Sequence, residues 1–233
     1  MTRHELKEQL QHDQFTDSVS YALNYASSHK QRLTQAVILA LIAAAIIGAV
    51  IWFNAHRRTL REQDLQNALV TVDAQVGPSN EYVKTFPTQG EKVKASIKAL
   101  AAVAAKDAGT REGFFALYYL GTLKAQNNDA KGAESDLLVV AKSASESAPL
   151  AKVALAQLYI ASKRTAEAQE LLRSLVNKPT DLVSKGQAQV LLAQIEATAN
   201  PAEAKKILQQ LKASKEDPAI ARAADQLSSQ LTN

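Results

Sequence analysis

Twenty residues, TQAVILALIAAAIIGAVIWF at 34–53, constrain this chain more than any others. From Ala36 to Phe53 the run is apolar throughout, counting Gly48, and no charge falls between Arg32 and His56. A helix rises about 1.5 Å per residue, so twenty residues cover roughly 30 Å, the hydrocarbon thickness of a bilayer. The core helix of a soluble domain shows a polar face, and this segment shows none. A cleaved export signal has a short basic start and an apolar core of about 7–15 residues. Here 33 residues precede the run, and Phe53-Asn54-Ala55 offers no small-x-small cleavage site. The run therefore reads as a retained transmembrane helix. Trp52 and Phe53 mark one interface, with Arg57, Arg58 and Arg61 beyond it.

A chain of 233 residues divides naturally into one anchor and one soluble domain. The net charge is +4, and basic residues are interspersed with acidic ones in no long block. That is a solvated surface, or one suited to anionic lipid, rather than a nucleic-acid footprint. The absence of cysteine excludes disulfides, thiol catalysis and cysteine-based zinc sites. Abundant alanine with 5% aromatics favours closely packed helices over strands.

Residues 1–33 form a polar tail in which Phe15, Val19, Ala22 and Ala26 recur at helical spacing. Residues 54–109 read as juxtamembrane helices and a loop. Leu65, Leu69, Val72 and Val76 mark one face of a helix that continues from the membrane to Gly77-Pro78. Residues 77–90 read as a loose insertion. The helix EKVKASIKALAAVAAKDAG follows and stops at Gly109.

From 110 to 233 the chain repeats. Residues 117–141 align with 152–176 at an offset of 35, and a third copy occupies 189–211. The first helix of each copy carries leucine and then a small residue: Leu120-Gly121, Leu155-Ala156 and Leu192-Ala193. The second carries alanine and then leucine four residues later: Ala133/Leu137, Ala168/Leu172 and Ala204/Leu208. Small residues let two helices approach closely, and leucines fill the space between hairpins. Asn200-Pro201 and Asp217-Pro218 supply helix starts, a cap followed by proline at the first helical position. This pattern resembles the tetratricopeptide repeat, although the usual aromatic is missing from copies two and three and the closing proline is displaced or absent. The expected fold is all-α: one N-terminal transmembrane helix followed by a tetratricopeptide-like helical-hairpin solenoid, closed by a helix carrying Ile220, Leu227 and Leu231.

The layout as a whole resembles the bacterial ancillary translocon subunit family, single-pass inner-membrane proteins with a tetratricopeptide repeat-like periplasmic domain. The resemblance covers nearly the entire chain and is architectural. It implies a periplasmic repeat domain that associates with the protein-export channel and with periplasmic folding factors. Flanking charge alone, Lys30 and Arg32 against Arg57, Arg58 and Arg61, favours the repeats inside. That rule weakens for long domains, and the resemblance sets the N-terminus in the cytoplasm and the repeats in the periplasm.

The sequence holds no glycine-rich phosphate loop, HExxH or GxSxG, so the expectation is no enzyme, no cofactor, no metal and no small-molecule substrate. All four histidines fall within the first 56 residues. Helical arrays act through a groove lined by the first helix of each unit. Its candidates are Phe115, Tyr118 and Thr122, then Val153, Gln157 and Ile160, then Val190 and Gln194. This face is apolar and aromatic, suited to an apolar peptide or helix. It is equally suited to cover by the chain's own helix at 60–76 or 219–231. The expected function is a membrane-anchored protein-interaction module accessory to the export channel, held in the bilayer through 34–53 and binding no nucleic acid. The alternative is a structural scaffold or adaptor of an envelope or cell-division assembly.

Overall fold

Helix boundaries in this chain are set by small polar caps and by proline. Thr88, Thr110, Asp129 and Ser184 each accept a hydrogen bond from the backbone N–H three residues on. Each thereby satisfies a donor that the first helical turn leaves open. Ser184 and Gln187 close a reciprocal capping box. At the proline starts, Asn200 Oδ1 accepts from Glu203 N (3.3 Å) and Asp217 Oδ1 from Ala219 N (2.8 Å).

The computed structural model describes residues 30–78, 83–213 and 217–230, so the amphipathic spacing at 15–26 and Leu231 lie outside the described residues. The described residues form nine helices: α1 (Lys30–Val72), α2 (Gln89–Lys106), α3 (Arg111–Gln126), α4 (Ala130–Ala141), α5 (Ala148–Ala161), α6 (Thr165–Asn177), α7 (Lys185–Ala199), α8 (Pro201–Ala213) and α9 (Pro218–Gln230). Two strands of two residues each, β1 (Gln75–Val76) and β2 (Thr85–Phe86), stand between α1 and α2. The chain divides after Thr59 into two units, and α1 crosses that division.

Within the first unit, the side chains described from Val37 to Phe53 are all exposed. α1 is the one helix among the described residues long and apolar enough to cross a membrane.

In the second unit, packing begins with the last turns of α1. Leu65, Ala68, Leu69 and Val72 meet Leu100 and Val103 of α2 and Ala116 and Leu120 of α3. Polar contacts fix the same junction. Ser96 Oγ donates to the Thr71 carbonyl (3.2 Å), and Arg61 Nε lies 3.4 Å from the buried Glu112 carboxylate. The helical face does not extend to Val76. The chain leaves the helix after Val72, Ala74 takes the buried place, and Val76 stands 47% exposed in β1.

The reason is the strand pair. β1 and β2 run parallel, with Gln75 beside Thr85 and Val76 beside Phe86. Gln75 N donates to the Lys84 carbonyl and Gly77 N to the Phe86 carbonyl, each at 3.0 Å. Lys84 Nζ reaches back to Thr71 Oγ1 at 2.7 Å. The insertion is thus tied at its base rather than loose.

From α2 onward each helix packs against its chain neighbours, with α9 resting on both α8 and α7. Every repeat position named above is buried: Ala133, Ala168 and Ala204, with Leu137, Leu172 and Leu208, are 0% exposed. Gly121 shows why the small residues are needed. A Cβ there would lie 2.7 Å from Leu137 Cγ. The α3–α4 and α5–α6 turns also match. Asn128 (φ 64) and Lys163 (φ 60), 35 residues apart, both take the left-handed conformation that closes a short turn.

Candidate functional site

α3, α5 and α7 are the first helices of the three copies, and their partly buried stripes face a common groove of about 1030 Å³. Of the residues expected there, Tyr118, Thr122, Val153, Gln157 and Val190 line it together. Phe115, Ile160 and Gln194 do not. Phe115 lies one turn before Tyr118, where its ring stacks under the Arg111 guanidinium at 5.3 Å. Gln194 lies one turn past Val190 and is exposed. Ile160 falls at the edge of the α5 stripe, where Ala161 takes the inward place.

Helical spacing picks out about one residue per turn, but this groove is lined by adjacent pairs. Tyr119, Ala154, Leu158 and Leu191 are the partners it missed. Leu182 was also missed. It sits in the connection 178–184, where Val183 plugs the core at 3% exposure and Leu182 stays 43% exposed toward the groove. The available signal was an apolar pair inside an otherwise polar stretch, KPTDLVSK.

The chain's own helices wall the groove rather than fill it. Val72 at the end of α1 and Ile220 and Ala223 of α9 contribute to its lining. α9 approaches closely because α7 carries glycine at 186, where a Cβ would lie 3.0 Å from Ile220 Cγ2.

None of the 21 lining residues is charged, in a chain that is 21% charged. Polarity comes from Thr122, Gln126, Gln157, Gln187 and the two tyrosines. The Tyr118 and Tyr119 rings meet edge to face at 5.3 Å. Burial pushes the Tyr118 phenol above its ordinary value, with Tyr119 adding to it, so it stays neutral. Such a lining offers apolar contact and uncharged hydrogen bonding. It offers no charge to an ionic ligand and no acid–base pair to a reaction.

The titratable groups are organised elsewhere, as a clamp across α4, α5 and α6. Arg164 Nη1 donates to both Glu134 oxygens (2.9 and 2.7 Å), and its guanidinium also holds Glu167. Tyr159 donates to Glu134 (3.0 Å), and the Arg164 guanidinium lies 4.0 Å over the Tyr159 ring. Hydrogen bonds from Arg164 hold both the Glu134 and Glu167 carboxyls below the usual carboxylate range. A carboxylate depressed on folding stabilises the fold above its unfolded value, and that contribution is lost as pH falls through the lower folded value. Glu134→Gln should therefore lower the melting temperature at neutral pH. It should also flatten the further decline below about pH 4.5, as read by thermal unfolding across a pH series. An unchanged acid slope would remove Glu134 from the clamp's stabilising role.

A second recess of about 320 Å³ lies along α1 and α2, and its charged groups are engaged: Lys106 with Asp64 and Lys84 with Thr71. Among the described residues, no three His, Asp or Glu side chains are placed to hold a metal ion. No family model matches the chain. No curated protein matches it significantly either.

Proposed function

We propose that the helices from α3 to α8 form a tetratricopeptide-like hairpin solenoid and that the chain is a membrane-anchored protein-interaction module. The observation that carries the binding role is the uncharged groove shared by α3, α5 and α7, which fits an apolar peptide or helix of a partner protein. The closely similar turns at Asn128 and Lys163 and the buried alanine–leucine positions support the solenoid reading. The architectural resemblance to ancillary translocon subunits supports the rest. The N-terminus is cytoplasmic in a bacterial inner membrane and the helical domain is periplasmic. Its partners are the export channel and periplasmic folding factors. The mechanism is localisation: tethering raises the effective concentration of weak partners without turnover.

The test joins topology to contact. The chain has no native cysteine, so Thr16→Cys and the exposed Ser162→Cys each give one reporter. A membrane-impermeant thiol reagent applied to intact cells should label position 162 and not 16. A photo-crosslinker at Gln157 should then join the chain to a channel subunit or a periplasmic folding factor. Labelling at 16 alone overturns the export reading. Crosslinks confined to envelope or division machinery would replace it with the scaffold.

A further inference from the structure

Three glutamines bear on the conformation of whatever enters the groove. Each of the three groove helices contributes one to the lining: Gln126 on α3, Gln157 on α5 and Gln187 on α7. All three are exposed. No hydrogen bond among the described residues engages the side chain of Gln126 or Gln157. Gln187 Oε1 accepts the Ser184 N–H at 2.9 Å, which leaves the Gln187 NH2 group to donate outward. Between the glutamines the lining is largely apolar, with Val153, Leu158 and Leu191 at its centre.

The three glutamines are staggered. Gln126 lies six residues after Leu120, Gln157 two after Leu155 and Gln187 five before Leu192, and these leucines are equivalent positions of the repeat. At about 1.5 Å per residue the steps along the helices are roughly 6 and 10 Å. With neighbouring axes about 8–10 Å apart, the glutamines trace an oblique track of roughly 25 Å, the span of about eight residues of extended chain.

A glutamine amide offers the same kinds of donor and acceptor as a peptide bond. An extended chain presents those groups along its edges, while its side chains point alternately to opposite faces. Every second side chain can then enter the apolar lining as the main chain meets the glutamines. A helix has spent its main-chain groups on its own turns. An apolar helix laid here would cover the glutamine amides and leave them unpaired, which is costly. A charged segment would lose its water to a lining with no charge to offset it.

We propose that the groove takes an uncharged, extended segment of a partner polypeptide, about eight residues long, whose main chain hydrogen-bonds to Gln126, Gln157 and Gln187. Recognition is then of main chain and alternating apolar character rather than of one sequence. The proposal rests on the groove being a binding site for a partner.

The full chain would be placed in phosphatidylcholine nanodiscs. The probe is a dye-labelled peptide of about eight residues alternating serine with valine or leucine, acetylated and amidated so that it carries no charge. Fluorescence anisotropy reads its binding against empty discs. A second pair of peptides carries an ester in place of every other amide, in the two possible registers, which removes N–H donors and keeps the side chains. A hydrocarbon-stapled helix of the same composition completes the set. The all-amide peptide should bind best, and ester replacement should weaken it by about 2- to 12-fold for each hydrogen bond lost. Gln126→Leu/Gln157→Leu should weaken the amide peptide and shrink the ester penalty. Ester and amide peptides that bind alike overturn the proposal while the groove remains a binding site. So does a stapled helix that binds more tightly than the extended peptide. An ester penalty undiminished in the leucine variant removes the glutamines from the contact and overturns their assignment. No binding of any of these peptides above empty discs overturns the binding role of the groove itself, and the proposal falls with it.

Discussion

Leu155→Ala is expected to destabilise the helical domain by about 2–5 kcal/mol, the range for emptying a leucine-sized space in a packed core. Leu155 is 0% exposed and belongs to a buried cluster that includes Leu137, Val140, Tyr159 and Leu172. It sits on α5, which packs between α4 and α6, so its side chain joins two hairpins as well as closing one. Alanine removes the contacts on both sides at once. The surrounding helices are held by their own caps and turns and collapse only partly into the space. For a unit of this size, each kcal/mol lowers the melting temperature by about 2–4 °C. The measurement is thermal unfolding of the full chain in detergent, with Leu155→Ile as the volume-conserving control. A loss in the alanine variant no larger than in the isoleucine variant would mean that Leu155 is not the joint between hairpins.

Gly113→Ala is the second large effect, and here two terms oppose each other. Alanine in a helix is favoured over glycine by about 1 kcal/mol, so propensity alone makes this change stabilising. Geometry reverses the sign. A Cβ at 113 would fall on the Asp107 carbonyl, with the carbonyl carbon 2.7 Å away. That atom is backbone at the end of α2, and it cannot swing aside as a side chain would. Gly113 also donates its N–H to Thr110 Oγ1 (3.2 Å), so the tight turn and the helix start share this residue. Overpacking of this kind costs about 1–3 kcal/mol or more. Gly90→Ala provides the contrast, because nothing lies within 4 Å of a Cβ there. The pair should move melting temperature in opposite directions. A neutral or stabilising Gly113→Ala would mean that the α2–α3 turn relaxes at little cost.

Periodic features of the fold were legible in the sequence, and departures from period were not. Ala133, Ala168 and Ala204, and the leucines four residues after each, could be read because a helix hairpin imposes the same packing on every copy. The chain's exit from α1 after Val72 could not. Val76 continues the helical spacing, and it is pairing with a distant strand at Phe86 that draws the backbone out of the helix. The groove was half legible for a related reason. Tyr118, Val153 and Val190 follow from spacing within each copy. Leu182 and Ile220 reach the groove from a connection and from a later helix, and tertiary packing alone places them there.

Packing each helix on its chain neighbours also decides the order in which the molecule can assemble. Contacts between segments close in sequence form quickly, because little chain entropy is lost in closing them. The α3–α4 hairpin has its partners as soon as Ala141 has emerged, and α5 and α6 can then add to it. The groove is different. One wall needs Ile220 and Ala223, which lie on α9. The groove is therefore complete only once α9 has packed on α7 and α8, later than the neighbour contacts that form its other walls.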